Sequence, residues 1–577
     1  MKIAKILKEF PIFFFTFFLL NPFFISTLRG EHIFAFKYFF QITTGTYVIP
    51  CDLYIVLGIA FAMMAITSIK MPVRVKYSIK TLWYLLLTFS FVVRKFLLYE
   101  FGMDYSPAVF SLISETNSTE SSGFLNTFVF STAGLRYIAI FCVLPLVILV
   151  TEIIWKKLIV RTKLQIKGIY LYCFGGFASI MLVLNLLNIS SLNGYSGQNS
   201  FTGIYFAYQH FLKDKETSHQ FLTNMKFYNK EHITTTNKDS LNIILVFGES
   251  FIKSHAQVYG YSLPTMPYMQ KEKEAGNLFV FNDCISLFNK TTPSLQNAFC
   301  LNVLNGGGKW YESYYWPLLI KKSGYNVYMW DNQKEDDKHF QGSFHEMYAP
   351  SVSKLCYTKT NSTSSPWDEF IVKDFEKENK RIPARNFVCF HLQGQHVPFE
   401  TRCPPNRAKF TPKDYHRHEP WITADALKSI SNYDNAVLYN DYVLHLICNL
   451  FKNTYSMIVF VSDHGEEVYD YRNKEGRAAM DEKDKSHFAH SQYDVPFVVW
   501  VSDKVKHQNS QLCAKLATST KKAYSLDRIG HFILGVAKVD TKHYSPEDDI
   551  LSKQFKEKDR FIHLPGQDRV LNYEKIK

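Results

Sequence analysis

Hydrophobic and polar positions divide this chain of 577 residues into two regimes. In the first, apolar residues come in five long blocks, at 10–28, 46–67, 81–102, 135–155 and 168–189. Each is close to the roughly 20 residues that a helix needs to cross a bilayer. The first block has no small-residue cleavage site and four more follow it, so it reads as a span and not as a signal peptide. A polar stretch at 188–203 then reads as a linker, and 204–228 mixes aromatic and charged residues as an interfacial helix would. In the second regime the apolar runs are short and alternate with amphipathic stretches. They predict strands at 242–248, 278–285, 325–330, 386–392, 456–462 and 495–501, and helices near 294–304, 312–322, 424–452 and 526–537. The expected fold is a five-helix membrane domain (1–190), a linker with an interfacial helix (191–238) and an α/β domain (239–577). That last domain should carry a mostly parallel sheet covered by helices on both faces.

Composition sharpens the first half of this picture. Aromatic residues make up 16% of the chain, with 50 Phe, far above ordinary usage. Segments 1–10, 68–80 and 156–167 hold twelve Lys and Arg, while the loops on the opposite side hold Arg29 and Lys37. By the positive-inside rule the N-terminus is cytoplasmic, and five crossings put everything after residue 190 outside. Residues 1–200 carry 17 Lys plus Arg against 8 Asp plus Glu, so most of the net +13 reports topology; nothing marks a nucleic-acid footprint. Of the 10 Cys, Cys51, Cys142 and Cys173 fall in spans. Cys284 and Cys300 are near enough in sequence to pair, whereas Cys389 and Cys448 read as buried thiols.

Ligands of parallel sheets bind beyond the carboxyl ends of the strands. The run "LNIILVFGES" is apolar from Ile243 to Phe247, and then Gly248 clears the backbone for Glu249. Strand 456–462 ends in "SDHGEE", giving Asp463 and His464; strand 386–392 leads to His391 and His396. Each alone has a plainer reading, as a helix cap or a turn. Together, carboxylates and imidazole at neighbouring strand tips are a ligand set that suits zinc. Between a strand and a helix lies "NKTTPSLQNAF" (289–299). Zinc lowers the pKa of a coordinated hydroxyl as it lowers that of water, to about 7, which makes a threonine a nucleophile. Thr292 before Pro293 also fits an N-cap, leaving Thr291 to react.

The ordered motifs "GES…YGYSLPTMPYM", "TTPSLQNAF", "GYNVYMWDNQ", "HLQGQHVPF", "YNDYVLHLICNLF", "SDHGEE" and "DVPFVVW", behind five spans, resemble the membrane-bound phosphoethanolamine transferases of Gram-negative bacteria. Those enzymes belong to the alkaline-phosphatase and sulfatase superfamily. The resemblance implies transfer of phosphoethanolamine from phosphatidylethanolamine to lipopolysaccharide (lipid A or core) or another surface glycan, through a covalent phosphothreonine, with release of diacylglycerol. It implies one zinc ion and room for a second, a monomer in the inner membrane, and a periplasmic catalytic domain. Carried onto this chain, Glu249, Thr291, Asp463 and His464 are the metal ligands and Thr291 the nucleophile, with Thr292 and then Ser294 as runners-up. His396 serves the phosphate or the leaving oxygen. His490, with His487 as the alternative, binds substrate, and Thr116 and Glu120 in "ETNSTESSGFL" bind the lipid donor. Thr116 and Glu120 would share a helix face.

This chain departs from the pattern at Asn297, where lipid A modifying members carry a Cys, so the resemblance leaves the acceptor open. A glycerophosphate transferase of the lipoteichoic acid type, using phosphatidylglycerol, shares the spans and metal site, and a catalytically dead membrane sensor is the reading from another class. A sulfatase would need a Cys or Ser in a Cys-x-Pro-x-Arg setting, and "TTPSLQ" has no Arg.

Overall fold

In the computed structural model, isolated positions aside, the described residues are 11–16, 71–101, 118–161, 241–301, 307–333, 357–360, 367–379, 384–477, 482–564 and 569–576. They fall into two compact units, one drawn from 1–110 and 125–211, the other from 111–124 and 212–577. Most of the blocks at 10–28 and 46–67, all of 168–189, the linker at 188–203 and about half of 204–228 lie outside the described residues.

In the first unit, α1 (Val73–Glu100) and α2 (Thr132–Arg161) run antiparallel, with Lys80 beside Glu152 at one end and Glu100 beside Arg136 at the other. Within α2, Gly134–Leu158 is the described stretch long and apolar enough to cross a membrane, with a mean hydropathy of 2.6 over its best window. Its apolar side chains point outward, Val143, Leu146 and Val150 each being more than half exposed, which a helix in a water-soluble core would not tolerate. The buried Glu152 carboxylate accepts from Lys80 Nζ (2.5 Å), Tyr84 Oη (2.8 Å) and Lys156. A charge inside an apolar block persists only when paired in this way.

The second unit is built on seven strands. They are β1 (Asn242–Gly248), β2 (Leu278–Phe281), β3 (Asn326–Asp331), β4 (Tyr357–Thr360), β5 (Asn386–His391), β6 (Ser456–Ser462) and β7 (Phe497–Val501). Their spatial order is β2-β7-β6-β1-β5-β3-β4. The four pairings among β6, β1, β5, β3 and β4 are parallel, and β7 runs antiparallel to both its neighbours. The apolar run of β1 is unbroken because alternate residues serve two cores. Ile243, Leu245 and Phe247 join one with helices α4 (Thr291–Phe299), α5 (Trp316–Lys322) and α9 (Ile529–Ala537). Ile244 and Val246 join the other with α3 (Pro267–Glu274), α6 (Glu369–Glu378) and α7 (Ala424–Phe451). A short α8 (Lys485–Gln492) lies before β7.

Three expectations are corrected. The strand read at 278–285 is broken at Asn282: Asp283–Ile285 leaves the sheet to pair in parallel with Ala523–Ser525. The helix read at 294–304 is α4, with extended Lys290 as its N-cap, so Thr291 and not Thr292 opens it. Cys284 and Cys300 are both free and buried, because Cys284 sits in that displaced strand while Cys300 bridges to Tyr315. Cys389 and Cys448 are buried thiols, as expected. Helices α3, α6 and α8 and strand β4 were not among the elements expected from the sequence.

Trp316 locks α4 to the sheet. Its indole Nε1 donates to Ala298 O (2.8 Å), its ring stacks on Phe299 at 5.6 Å and meets Phe387 edge-on at 5.2 Å. Gly530 in α9 passes so close that a β-carbon there would lie 2.4 Å from Trp316 Cδ1. Gly530→Ala should therefore destabilise the second unit by about 1–3 kcal/mol through overpacking, read as a melting point several degrees lower, while a distant surface substitution leaves it unchanged.

Candidate active site

Central strand β1 brings the site together. In register, Phe247 lies beside His391 of β5, and Gly248 beside Ser462 of β6. The residues just past those ends, Glu249 and Asp463, therefore meet, and both are fully buried, as is His464. One ligand atom from each of Glu249, Asp463 and His464 lies within 4.8 Å of the others, and no bulk water reaches them to share their charge.

Hydrogen bonds fix which atoms are offered. His464 Nδ1 donates to Gly465 O (2.7 Å), which leaves the lone pair of Nε2 facing Asp463 Oδ2 at 3.1 Å and Glu249 Oε1 at 3.3 Å. Asp463 Oδ1 accepts from the backbone N–H groups of Ser250 (3.0 Å) and His464 (2.8 Å), while its Oδ2 is buried without a hydrogen-bond partner. Glu249 Oε1 accepts from Ser250 Oγ (2.8 Å); Oε2 accepts from Thr291 Oγ1 and Gln333 Nε2, both at 2.9 Å. Burial and the neighbouring Glu249 charge push Asp463 up to about 6. Glu249 is held well below the usual carboxylate range, because its contact with His464 outweighs its burial. The carboxylates in turn raise His464 against its burial, so a proton on Nε2 offsets them; once that proton is lost, two carboxylates and a lone pair in a buried spot repel one another unless a cation sits among them. The donor set of two oxygens and one nitrogen, with an orphaned Oδ2, fits a zinc ion.

Thr291, the first residue of α4, brings a hydroxyl to this cluster, 2.9 Å from Glu249 Oε2 and 3.5 Å from His464 Nε2. Ser294 faces away and bonds Ser286 Oγ and Phe288 O. His396 follows the turn at Gly394. Burial pulls its pKa down to about 4, so it is neutral at pH 7, and its Nδ1 donates to Val397 O at 2.8 Å. His391 pairs with Asp331 one strand further over (3.1 Å). His490 bonds Asp494 and Tyr573, both at 3.1 Å, and His487 is exposed and bonded to Asp484 at 2.8 Å; no hydrogen bond of either reaches the cluster among the described residues. Thr116 lies outside the described residues, and of Glu120 only its place in a short helix, Ser118–Phe124, is described.

Several supporting residues escaped sequence reasoning. Gln333 lies two residues past the end of β3, where the strand-tip rule could have found it. Tyr433 of α7 accepts from Ile252 N and donates to Ser250 O, both at 2.7 Å, which pins the turn after Glu249. Nearby, His255 is clamped between Asp434 (2.6 Å) and Asp470 (3.1 Å). Burial opposes its charge, but the two carboxylates prevail and raise its pKa to about 10. Arg477 also reaches the cluster, its Nη1 standing 3.3 Å from His464 Nε2.

Fold and site together define an α/β domain whose metal-type ligands gather at the carboxyl ends of its central strands. Residues 241–539 match the sulfatase family model, and the chain belongs to that family. Phosphoethanolamine transferase EptC of Escherichia coli K12 is 27% identical over 334 residues, 57% of this chain and 56% of that protein. Phosphoethanolamine transferase CptA of Salmonella typhimurium is 26% identical over 57% of this chain and 56% of that protein. The chain thus matches little more than half the length of these relatives, whose names bear out the resemblance drawn from the motifs. Among solved structures, the C-terminal periplasmic domain of the E. coli EptC protein is similar with a TM-score of 0.51 and 26% identity, over 58% of this chain and 93% of that one. The same domain has also been solved in complex with Zn, at 25% identity and a TM-score of 0.51. The integral membrane protein lipooligosaccharide phosphoethanolamine transferase A of Neisseria meningitidis shares the fold over 94% of this chain and 97% of that one, with a TM-score of 0.56 and 16% identity.

Gly394 is required for this geometry. It has φ +47°, and a β-carbon would lie 2.8 Å from both the N and O atoms of Glu249. Gly394→Ala should lower zinc affinity, measured by competition with a chelating dye, while the protein stays folded. Because burial and Glu249 push Asp463 up to about 6, the carboxylates raise His464 as well, and both must shed protons to bind metal, zinc affinity should fall at least about tenfold for each pH unit below 6. Affinity that stays flat from pH 7 to 5 would remove Asp463 from the ligand set.

Proposed function

We propose that this protein is a membrane phosphoethanolamine transferase that moves phosphoethanolamine from phosphatidylethanolamine to a lipopolysaccharide acceptor, lipid A or core, through a covalent phosphothreonine on Thr291. The observation that carries the reading is Thr291 Oγ1, 2.9 Å from Glu249 Oε2 and 3.5 Å from His464 Nε2. A hydroxyl aimed into a buried, metal-type ligand set is a nucleophile in waiting. The names of the relatives point to the same transferred group.

Glu249, Asp463 and His464 would hold one zinc, with Thr291 as the fourth ligand; bound there, the ion supplies positive charge that favours the ionised hydroxyl and the transferring phosphoryl group. Thr291 Oγ1 attacks the donor phosphorus, an O–P bond forms, and the bond from phosphorus to the glycerol oxygen breaks. The proton given up by Thr291 is balanced by the one that oxygen takes up as it leaves as diacylglycerol. In the second half the acceptor oxygen attacks the same phosphorus and Thr291 is released. His396, neutral with Nδ1 engaged, offers Nε2 as an acceptor. It is suited to take the proton of the incoming acceptor. Substrate roles for His490, Thr116 and Glu120 stay part of this proposal.

The proposed setting is the bacterial inner membrane, multi-pass, with the N-terminus in the cytoplasm and residues 239–577 in the periplasm. The apolar stretch Gly134–Leu158 and the Lys and Arg distribution support it.

Diacylglycerol release from headgroup-labelled phosphatidylethanolamine in detergent tests the reaction. Native protein should release it and leave label on the protein, and Thr291→Ala should lose at least about 10³-fold in rate. Cleavage of phosphatidylglycerol instead would move the protein to the glycerophosphate transferases, and zinc binding without turnover on either lipid would make it a sensor.

A further inference from the structure

We propose that Arg477 is a phosphoryl-binding residue, its guanidinium holding the non-bridging oxygens of the group that Thr291 attacks. This rests on the phosphoryl-transfer reading above. A two-residue ladder, Glu467–Val468 against Glu475–Gly476, folds the segment after "SDHGEE" back on itself, with Gly476 opposite Glu467. Arg477, one step further, returns to the level of Glu466 and the site. Its Nη1 is 3.3 Å from His464 Nε2, and Thr291 Oγ1 is 3.5 Å from that same nitrogen. Guanidinium and nucleophile thus flank one atom, so a phosphorus within attacking distance of Thr291 has its outer oxygens within reach of Arg477.

Neighbouring cations are committed elsewhere. Lys253 bonds Asp494 Oδ2 (2.8 Å) and Asn282 O (3.1 Å), and Arg402 bonds His396 O (2.5 Å) and Val397 O (3.2 Å). The carboxylate beside Arg477, Glu466, stands 3.9 Å from Nε, beyond hydrogen-bond length, so it balances the charge without using up the five N–H donors. Arg477 is also 20% exposed, whereas Glu249, Asp463 and His464 are sealed, so its guanidinium lies on the side from which a substrate enters. A planar fork of donors matches a phosphoryl group in a way that a lysine ammonium does not.

The test uses the full-length, zinc-loaded protein and inorganic phosphate as probe, with native protein, Arg477→Lys and Arg477→Ala compared by calorimetry. Zinc content should be unchanged in all three. Phosphate affinity should drop about 10- to 100-fold in Arg477→Ala and by less in Arg477→Lys. Added guanidinium should restore part of the diacylglycerol release of Arg477→Ala and none of that of Thr291→Ala. Unchanged phosphate affinity in Arg477→Ala would overturn the proposal, as would loss of zinc from that variant or failure of the native protein to bind phosphate. Native protein that binds phosphate through Arg477 yet releases no diacylglycerol would refute the proposed donor and leave this residue's role standing.

Discussion

Everything at the active end of the second unit is arranged around a repulsion. Glu249, Asp463 and the lone pair of His464 Nε2 converge in a place closed to bulk water, and no neighbouring hydrogen bond relieves Asp463 Oδ2. Such an arrangement is costly for an isolated protein. It persists because the backbone positions are dictated by something larger, the parallel register of β1 with β5 and β6 at the centre of a sheet buried on both faces. The hydrophobic cores hold the strands, and the strands force the acceptors together. A cation turns that strain into affinity.

Around this cluster the structure invests heavily in rigidity. Tyr433, on the long helix α7, holds the turn after Glu249 through Ser250 and Ile252. The charged His255 between Asp434 and Asp470 ties the following turn to the same helix and to the loop past β6. Gly394 lets the chain after β5 pass against the backbone of Glu249, where Gln395 N donates to Glu249 O at 2.9 Å. The helix that carries Thr291 is locked by Trp316 on the face of the sheet opposite α7. The Thr291 hydroxyl and a ligand set on separate elements stay within hydrogen-bond distance only when both elements are fixed in this way.

Family membership and chemistry meet at one departure. The chain belongs to the sulfatase family, yet it carries Thr291 without the arginine of a Cys-x-Pro-x-Arg motif. A threonine cannot become a formylglycine, so this scaffold presents an unmodified hydroxyl at that position, and Arg477, reached through a different loop, stands 3.3 Å from His464 Nε2. Fold alone does not specify the reaction; the side chains at the strand tips do.

The sequence by itself determined the central strands β1, β5 and β6, because a continuous apolar run is legible without a structure. It also placed Glu249, Asp463 and His464, since residues just past parallel strands are where ligands bind, and it placed Thr291 through its motif. Tertiary structure decided the rest. Strand order, the antiparallel β7 and the break at Asn282 depend on pairings between residues far apart in the chain, which periodicity does not encode. The free thiols of Cys284 and Cys300 show that nearness in sequence is not nearness in space. Tyr433 and Arg477 stayed hidden for the same reason. Each acts through a side chain whose reach is set by packing against another element, and no local pattern of residues records where that element will lie.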